Sequence, residues 1–260
     1  MADKRPIGLF DSGVGGLSVL LEIAGLLPQE NFVFLADQLH NPYGAKTKKE
    51  LEDLTGRITD FLISRKIKAL VIACNTATCY AIDYLRLNYD LPIIGVVPAV
   101  KPAVKITKTG KIAIMSTPAT AKSSYLDELV RGFAKGRQCL KLGCAGLEEA
   151  VETWDRRESA ILLDKYTARI EKFGSDVVVL GCTHFPFLKK DIKKRVGDKV
   201  KVIDSGQAIA RRVKYILKKK DAFSTQKNND LFFTTGDQKE FSRVASVLLG
   251  TDISAERVEI

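Results

Sequence analysis

The chain has 260 residues, enough for two modest domains, and its 45% hydrophobic content is that of a globular protein rather than a disordered or fibrous one. No apolar run approaches the roughly 20 residues that cross a bilayer, and the Met1 end lacks the basic-then-apolar pattern of a signal peptide, so a cytoplasmic protein without membrane contact is expected. The net charge of +10 would admit a polyanion partner, but the basic groups at 46–49, 189–195 and 218–220 lie apart, mostly among acidic residues and without interleaved aromatics, so they read as solvated helix faces and a nucleic-acid partner is not expected.

In chain order, 5–10 reads as a strand, Asp11-Ser-Gly-Val-Gly-Gly16 as a turn and 17–27 as a helix. Residues 31–36 are strand-like. A helix over 47–66 follows, with Thr47 and Glu50 spaced as a capping box. Strands are expected over 68–73 and 92–97, with a helix over 76–88 between them. The alternation continues with strands at 111–115, 138–142, 176–180 and 199–203. Helices are expected at 121–132, 187–196 and, as one long element, 147–173. Strands alternating with helices predict βαβ units and mainly parallel sheets.

Two strand ends recur at nearly one spacing. Ile7-Gly-Leu-Phe-Asp-Ser12 resembles Ile112-Ala-Ile-Met-Ser-Thr117, and Ala69-Leu-Val-Ile-Ala-Cys-Asn-Thr76 resembles Val177-Val-Val-Leu-Gly-Cys-Thr-His184. Any parallel α/β protein has some such self-similarity. The matched pair of pairs points further, to two similar α/β domains flanked by helices. The expected division is 1–97 with 207–260 for the first domain and 98–206 for the second, with the active site in the interdomain cleft. The crossing is expected within 96–102, and the return near 205–206.

Five scattered cysteines without a CxxC argue against a disulfide framework, and neither cysteine nor histidine has metal-ligand spacing, so no metal is expected. Cys74 and Cys182 share one context, the end of an apolar strand before polar residues that could open a helix. Backbone N–H groups and the helix dipole there favour a thiolate. Either cysteine alone would also suit a small buried position beside a turn, which is the reading for Cys79, Cys139 and Cys144. Two opposed thiols would suit inversion of a stereocentre: one removes a proton from one face and the other returns a proton to the opposite face. Asp11 could receive an ammonium group. Ser12, Asn75, Thr76 and Thr183 could hold carboxylates, and His184 could tune Cys182 or relay its proton. Gly13-Val-Gly-Gly16 does not complete a dinucleotide fingerprint, because Ser18 holds the last glycine position. Two rival readings stand beside this one. One is a hydrolase or amidase with Cys182 as nucleophile and His184 as base, which leaves Cys74 without a role. The other is a non-catalytic nucleic-acid binder, or an inhibitor of a DNA-handling enzyme, motivated only by the charge.

Together the motifs resemble those of the glutamate racemases, within the aspartate/glutamate racemase superfamily. The matching segments are 7–16, Asn41-Pro-Tyr-Gly44, Ala73-Cys-Asn-Thr-Ala-Thr78, 92–99, Gly181-Cys-Thr-His-Phe-Pro186 and Ile203-Asp-Ser-Gly206. The resemblance implies racemisation of glutamate without pyridoxal phosphate or any other cofactor, supplying D-glutamate for peptidoglycan. A homodimer is expected. Carried over residue by residue, Cys74 and Cys182 are the two bases and Asp11 and His184 assist them. Ser12, Pro42, Tyr43, Gly44, Asn75, Thr76, Thr120 and Thr183 line the substrate pocket. The resemblance departs at Cys144-Ala-Gly-Leu-Glu-Glu-Ala-Val-Glu152, where two family prolines are missing and Glu148 and Glu149 are added. Glu152 holds the place of the family's assisting glutamate. Residues 206–260 carry no strong motif.

Overall fold

The computed structural model describes residues 3–260. The chain forms two compact units. The first runs through Val96 and resumes at Gly206–Ile260; the second is Val97–Ser205.

The first unit begins β1 (Ile7–Asp11), α1 (Leu17–Leu26), β2 (Phe32–Ala36), α2 (Lys48–Ser64), β3 (Ala69–Ile72), α3 (Asn75–Asn88) and β4 (Ile93–Gly95). Strands β1 to β3 are buried along their whole length, as expected for a parallel sheet covered on both faces, so they read as unbroken apolar runs rather than alternating ones. The start of α2 is fixed as its sequence predicts: Thr47 accepts from the Glu50 backbone and the Glu50 carboxylate accepts from the Thr47 N–H, which satisfies two donors at the helix start.

The second unit holds α4 (Val100–Ile106), β5 (Lys111–Ser116), α5 (Pro118–Lys122), α6 (Ser124–Phe133), β6 (Gln138–Gly143), α7 (Leu147–Glu152), α8 (Arg156–Phe173), β7 (Val177–Leu180), α9 (Lys189–Val196) and β8 (Lys201–Ile203). The single helix expected over 147–173 is two. Trp154 adopts φ 56, a left-handed conformation that no helix continues through, and Asp155 restarts the chain by accepting from the Arg157 and Glu158 N–H groups. Gly174, at φ 76, closes α8. The chain passes from the first unit to the second between Val96 and Val97, within the expected crossing segment, and α4 begins at its end.

The chain then returns to the first unit with α10 (Gly206–Lys219), β9 (Leu231–Thr234), α11 (Gln238–Leu249) and β10 (Ala255–Arg257). The motif-poor C-terminal stretch thus supplies two strands of the first sheet, whose order is β10-β9-β2-β1-β3-β4. The second sheet has the order β6-β5-β7-β8. Every pairing in both is parallel. The run β2-β1-β3-β4 has the order of β6-β5-β7-β8. Equivalent bonds extend both beyond their strands: Ala73 N to Phe10 O and Gly181 N to Met115 O, then Asp37 N to Asp11 O and Cys144 N to Ser116 O. The two halves inferred from the sequence repeat are two α/β units built alike. Each has its own core, around Phe10, Leu35, Leu51 and Ile72 in the first and Val100, Ile112, Leu126 and Val177 in the second.

Candidate active site

In a parallel sheet, functional side chains collect where strands end and helices begin. In the first unit β1 ends on Asp11, which is fully buried. Its Oδ1 accepts from the Ser12 N–H at 2.8 Å and its Oδ2 from the Gly16 N–H at 2.5 Å. Glycine is required at 16, because a Cβ there would lie 2.8 Å from the Asp11 Cβ and 3.0 Å from that of Ala73. The absent side chain lets the start of α1 close on the carboxylate. Cys74 is the second residue after β3 and caps α3, its Sγ accepting from the Ala77 N–H at 3.5 Å. Placed there, the sulfur meets the positive end of a helix, which favours its ionised form. The Ser12 hydroxyl lies 3.9 Å from the Cys74 sulfur and 3.5 Å from Asp11 Oδ1. Asn75 and Thr76 are buried in the first turn of α3, Asn75 donating to the Val96 carbonyl at 3.4 Å.

The loop after β2 carries Pro42, Tyr43 and Gly44, with a cis peptide bond between Asn41 and Pro42. Pro42 and Gly44 are exposed and Tyr43 is buried. The Tyr43 hydroxyl donates to Asp37 Oδ2 at 2.7 Å. Burial, followed by the Asp37 charge and this hydrogen bond, pushes the Tyr43 pKa well above the ordinary phenol value, so it is a neutral donor.

In the second unit Cys182 is the second residue after β7, as Cys74 is after β3. Its sulfur lies 3.5 Å from His184 Nδ1, and His184 Nε2 lies 2.5 Å from Glu152 Oε1. An ionised carboxylate only accepts, so Glu152 keeps a proton on Nε2 and turns Nδ1 toward the sulfur. Burial pushes the Cys182 thiol up to about 11, against the pull of His184 and with a push from the Glu148 charge. Burial opposes the charged imidazole of His184, but the Cys182 sulfur and Glu152 outweigh it and hold the His184 pKa well above its ordinary value. Thr183 is buried beside Cys182. After β5, Thr117 caps α5; its hydroxyl accepts from the Thr120 N–H at 3.2 Å and donates to the Thr120 hydroxyl at 3.1 Å. The third buried thiol, Cys144, is raised by burial and then by the Cys182 charge.

Each unit thus places a thiol at a strand end with a carboxylate-linked side chain beside it, Ser12 with Asp11 in the first and His184 with Glu152 in the second. A family model described as Asp/Glu/Hydantoin racemase matches residues 37–213. The chain belongs to the Asp/Glu/Hydantoin racemase family. It is therefore an enzyme, an isomerase. A curated protein of Herpetosiphon aurantiacus named glutamate racemase is 38% identical over 248 residues, covering 94% of this chain and 98% of its own. The crystal structure of the glutamate racemase isoform RacE1 from Bacillus anthracis superposes with a TM-score of 0.90 at 33% identity, covering 98% of both chains. That of the Escherichia coli glutamate racemase, a complex with L-glutamate and the activator UDP-MurNAc-ala, gives 0.86 at 34% identity, covering 94% of this chain and 95% of its own.

Within this family member the sequence-derived residues fall into two groups. Asp11, Ser12 and Cys74 adjoin one another in the first unit, next to Asn75 and Thr76, and Tyr43 is linked to Asp11 through Asp37. Cys182, His184 and Glu152 form one chain in the second unit. The loss of two prolines from 144–152 leaves Glu152 in reach of His184. Two polar residues at the strand ends of the first unit escaped the sequence reading, Asp37 and Thr235. Asp37 carried a usable signal, since it follows the apolar run of β2 as Asp11 ends that of β1. Among the described residues no three His, Cys, Asp or Glu side chains gather as for a metal ion, and no helix is long and apolar enough to cross a membrane.

Proposed function

We propose that this enzyme interconverts L- and D-glutamate without a cofactor, using Cys74 and Cys182 as its two acid–base groups. One thiolate takes the Cα proton and becomes a thiol. The other thiol gives its proton to the opposite face of the carbanion and becomes a thiolate. Turnover exchanges the two states, and the reverse reaction uses the same pair. The observation that carries this reading is the equivalent placement of the two cysteines, each the second residue beyond the corresponding strand of two like-ordered sheets. Asp11 and Ser12 assist at Cys74, and His184 with Glu152 assists at Cys182, where the raised pKa favours the proton-donating thiol. Ser12, Pro42, Tyr43, Gly44, Asn75, Thr76, Thr120 and Thr183 bind the substrate. Glutamate is favoured over other amino acids because the relatives bear that name and the E. coli structure holds L-glutamate. On the same reading the enzyme is a cytoplasmic homodimer whose domains are 1–97 with 207–260, and 98–206. Its product supplies peptidoglycan.

The test is incubation with L-glutamate, and separately with L-aspartate, in deuterated water. Formation of D-glutamate with deuterium at Cα is expected, and aspartate should react far more slowly. No D-glutamate and no exchange would refute the reading. The Cys182–His184–Glu152 chain also suits a cysteine-nucleophile hydrolase, but that reading gives Cys74 nothing to do. A covalent acyl adduct on Cys182, found by mass spectrometry, would favour it.

A further inference from the structure

The loop that carries Pro42, Tyr43 and Gly44 is held from behind by the C-terminal segment. Thr235 follows β9, and its backbone N–H donates to the Ala36 carbonyl at 3.1 Å, continuing the ladder between β9 and β2. Its hydroxyl is buried and makes two bonds. It accepts from the Leu39 N–H at 3.0 Å and donates to Asp37 Oδ1 at 2.8 Å. That carboxylate is itself fully buried, and it also accepts from the Tyr43 hydroxyl at 2.7 Å and meets His40 Nδ1 at 2.7 Å. One hydroxyl therefore ties the first turn of the loop, Gln38–His40, to the acceptor that anchors the second, Tyr43–Ala45.

The neighbours of Thr235 press on the same loop. The Thr234 hydroxyl donates to the Gln38 side-chain oxygen at 3.0 Å. A Cβ at Gly236 would lie 2.9 Å from the Gln38 Cβ, so only glycine leaves the loop where it is.

From this geometry we infer that Thr235 is a positioning residue for the substrate loop, acting through Leu39 and Asp37 and making no contact with substrate. The inference rests on the proposed racemisation of glutamate and on the loop's part in binding it. A loop that only holds substrate contributes to ground state and transition state alike, so loosening it raises KM and leaves kcat nearly unchanged. Thr235→Val keeps the shape of the side chain, deprives Leu39 N–H of its acceptor and takes one donor from Asp37. Thr235→Ser keeps the hydroxyl.

The test measures kcat and KM for both enantiomers of glutamate in the unaltered enzyme, Thr235→Val, Thr235→Ser and Gly236→Ala, with a melting curve for each. The expected result is a KM about tenfold higher in Thr235→Val, roughly the worth of one buried hydrogen bond, with kcat within about threefold and Thr235→Ser close to the unaltered enzyme. A folded Thr235→Val with unchanged KM and only a lower melting temperature would show a merely structural role and overturn the inference. If Thr235→Val does not fold, Gly236→Ala decides, because it displaces the loop without removing a bond; an unchanged KM there overturns it equally. An unaltered enzyme that racemises no glutamate would instead defeat the functional reading, and this inference with it.

Discussion

Lys68 and Glu30 are almost completely buried and lie 2.5 Å apart. The Lys68 ammonium also donates to the Asp3 and Ala222 carbonyls, both at 2.8 Å, and so joins the start of β3 to the N-terminal segment and to the turn after α10. Removing one charge leaves the other buried and unpaired, which costs about 3–5 kcal/mol. Lys68→Met should therefore lose that much stability in denaturant titration, and the loss should shrink when Glu30→Gln is added. The raised pKa of Cys182 has its own signature. Between about 9 and about 11 the unfolded chain has released this proton while the folded one keeps it, so stability falls as pH rises through that window. His184, with its raised folded pKa, also loses its contribution as pH climbs. Thermal unfolding from pH 8 to 11 should show the decline, and Cys182→Ser should flatten it. Glu152→Gln removes a charge that holds the His184 pKa up; it should lower that pKa and slow turnover about tenfold, the equivalent of one pKa unit, read from pH–rate profiles. Much at this scale was legible in the sequence, because Asp11, Cys74, Cys182 and His184 sit at strand ends that announce themselves as apolar runs. The Lys68–Glu30 pair was not, since a lysine before a strand looks solvated until the distant carbonyls that enclose it are known.

Elements were legible where local chemistry decides them. The capping box at Thr47 and Glu50 and the buried runs of β1, β3, β5 and β7 are written in adjacent residues. The division of 147–173 was missed because Trp154 has no local preference for φ 56, although Asp155 with Glu158 three residues on is a helix-start pattern. Strands β9 and β10 were missed because β9 joins the sheet beside β2, Leu231 opposite Val33 far back in the chain, and the residues themselves are only half apolar. The turn before β5 depends on one side chain. Burial alone would raise the Asp176 carboxyl, but hydrogen bonds from Thr107, Lys108 and Thr109 pull it down to about 2. Its contribution is present above the ordinary carboxylate pKa and is lost as pH falls through about 2. Asp176→Asn should cost about 1–2 kcal/mol at neutral pH and weaken acid unfolding's dependence on pH, as measured by urea titrations at pH 7 and pH 3.

For the whole molecule, the sequence repeat carried the most information. It pointed to two similar halves, and the equal order of β2-β1-β3-β4 and β6-β5-β7-β8 gives that repeat a structural form. The excess positive charge is not evenly spread. Some basic residues elsewhere pair with carboxylates, as in Lys189–Asp204, Arg195–Asp164 and Arg243–Glu240. The outward face of α10 instead holds Arg211, Arg212, Lys214, Lys218 and Lys219, with Tyr215 between two of them.

The central claim is that the two thiols serve opposite faces of one stereocentre. The measurement that meets it most directly is Cα deuterium exchange of L- and D-glutamate, each incubated separately with Cys74→Ser and with Cys182→Ser. The account predicts that neither variant racemises, that each exchanges only one enantiomer, and that the exchanged enantiomer differs between the two. Exchange of both enantiomers by either variant would contradict it.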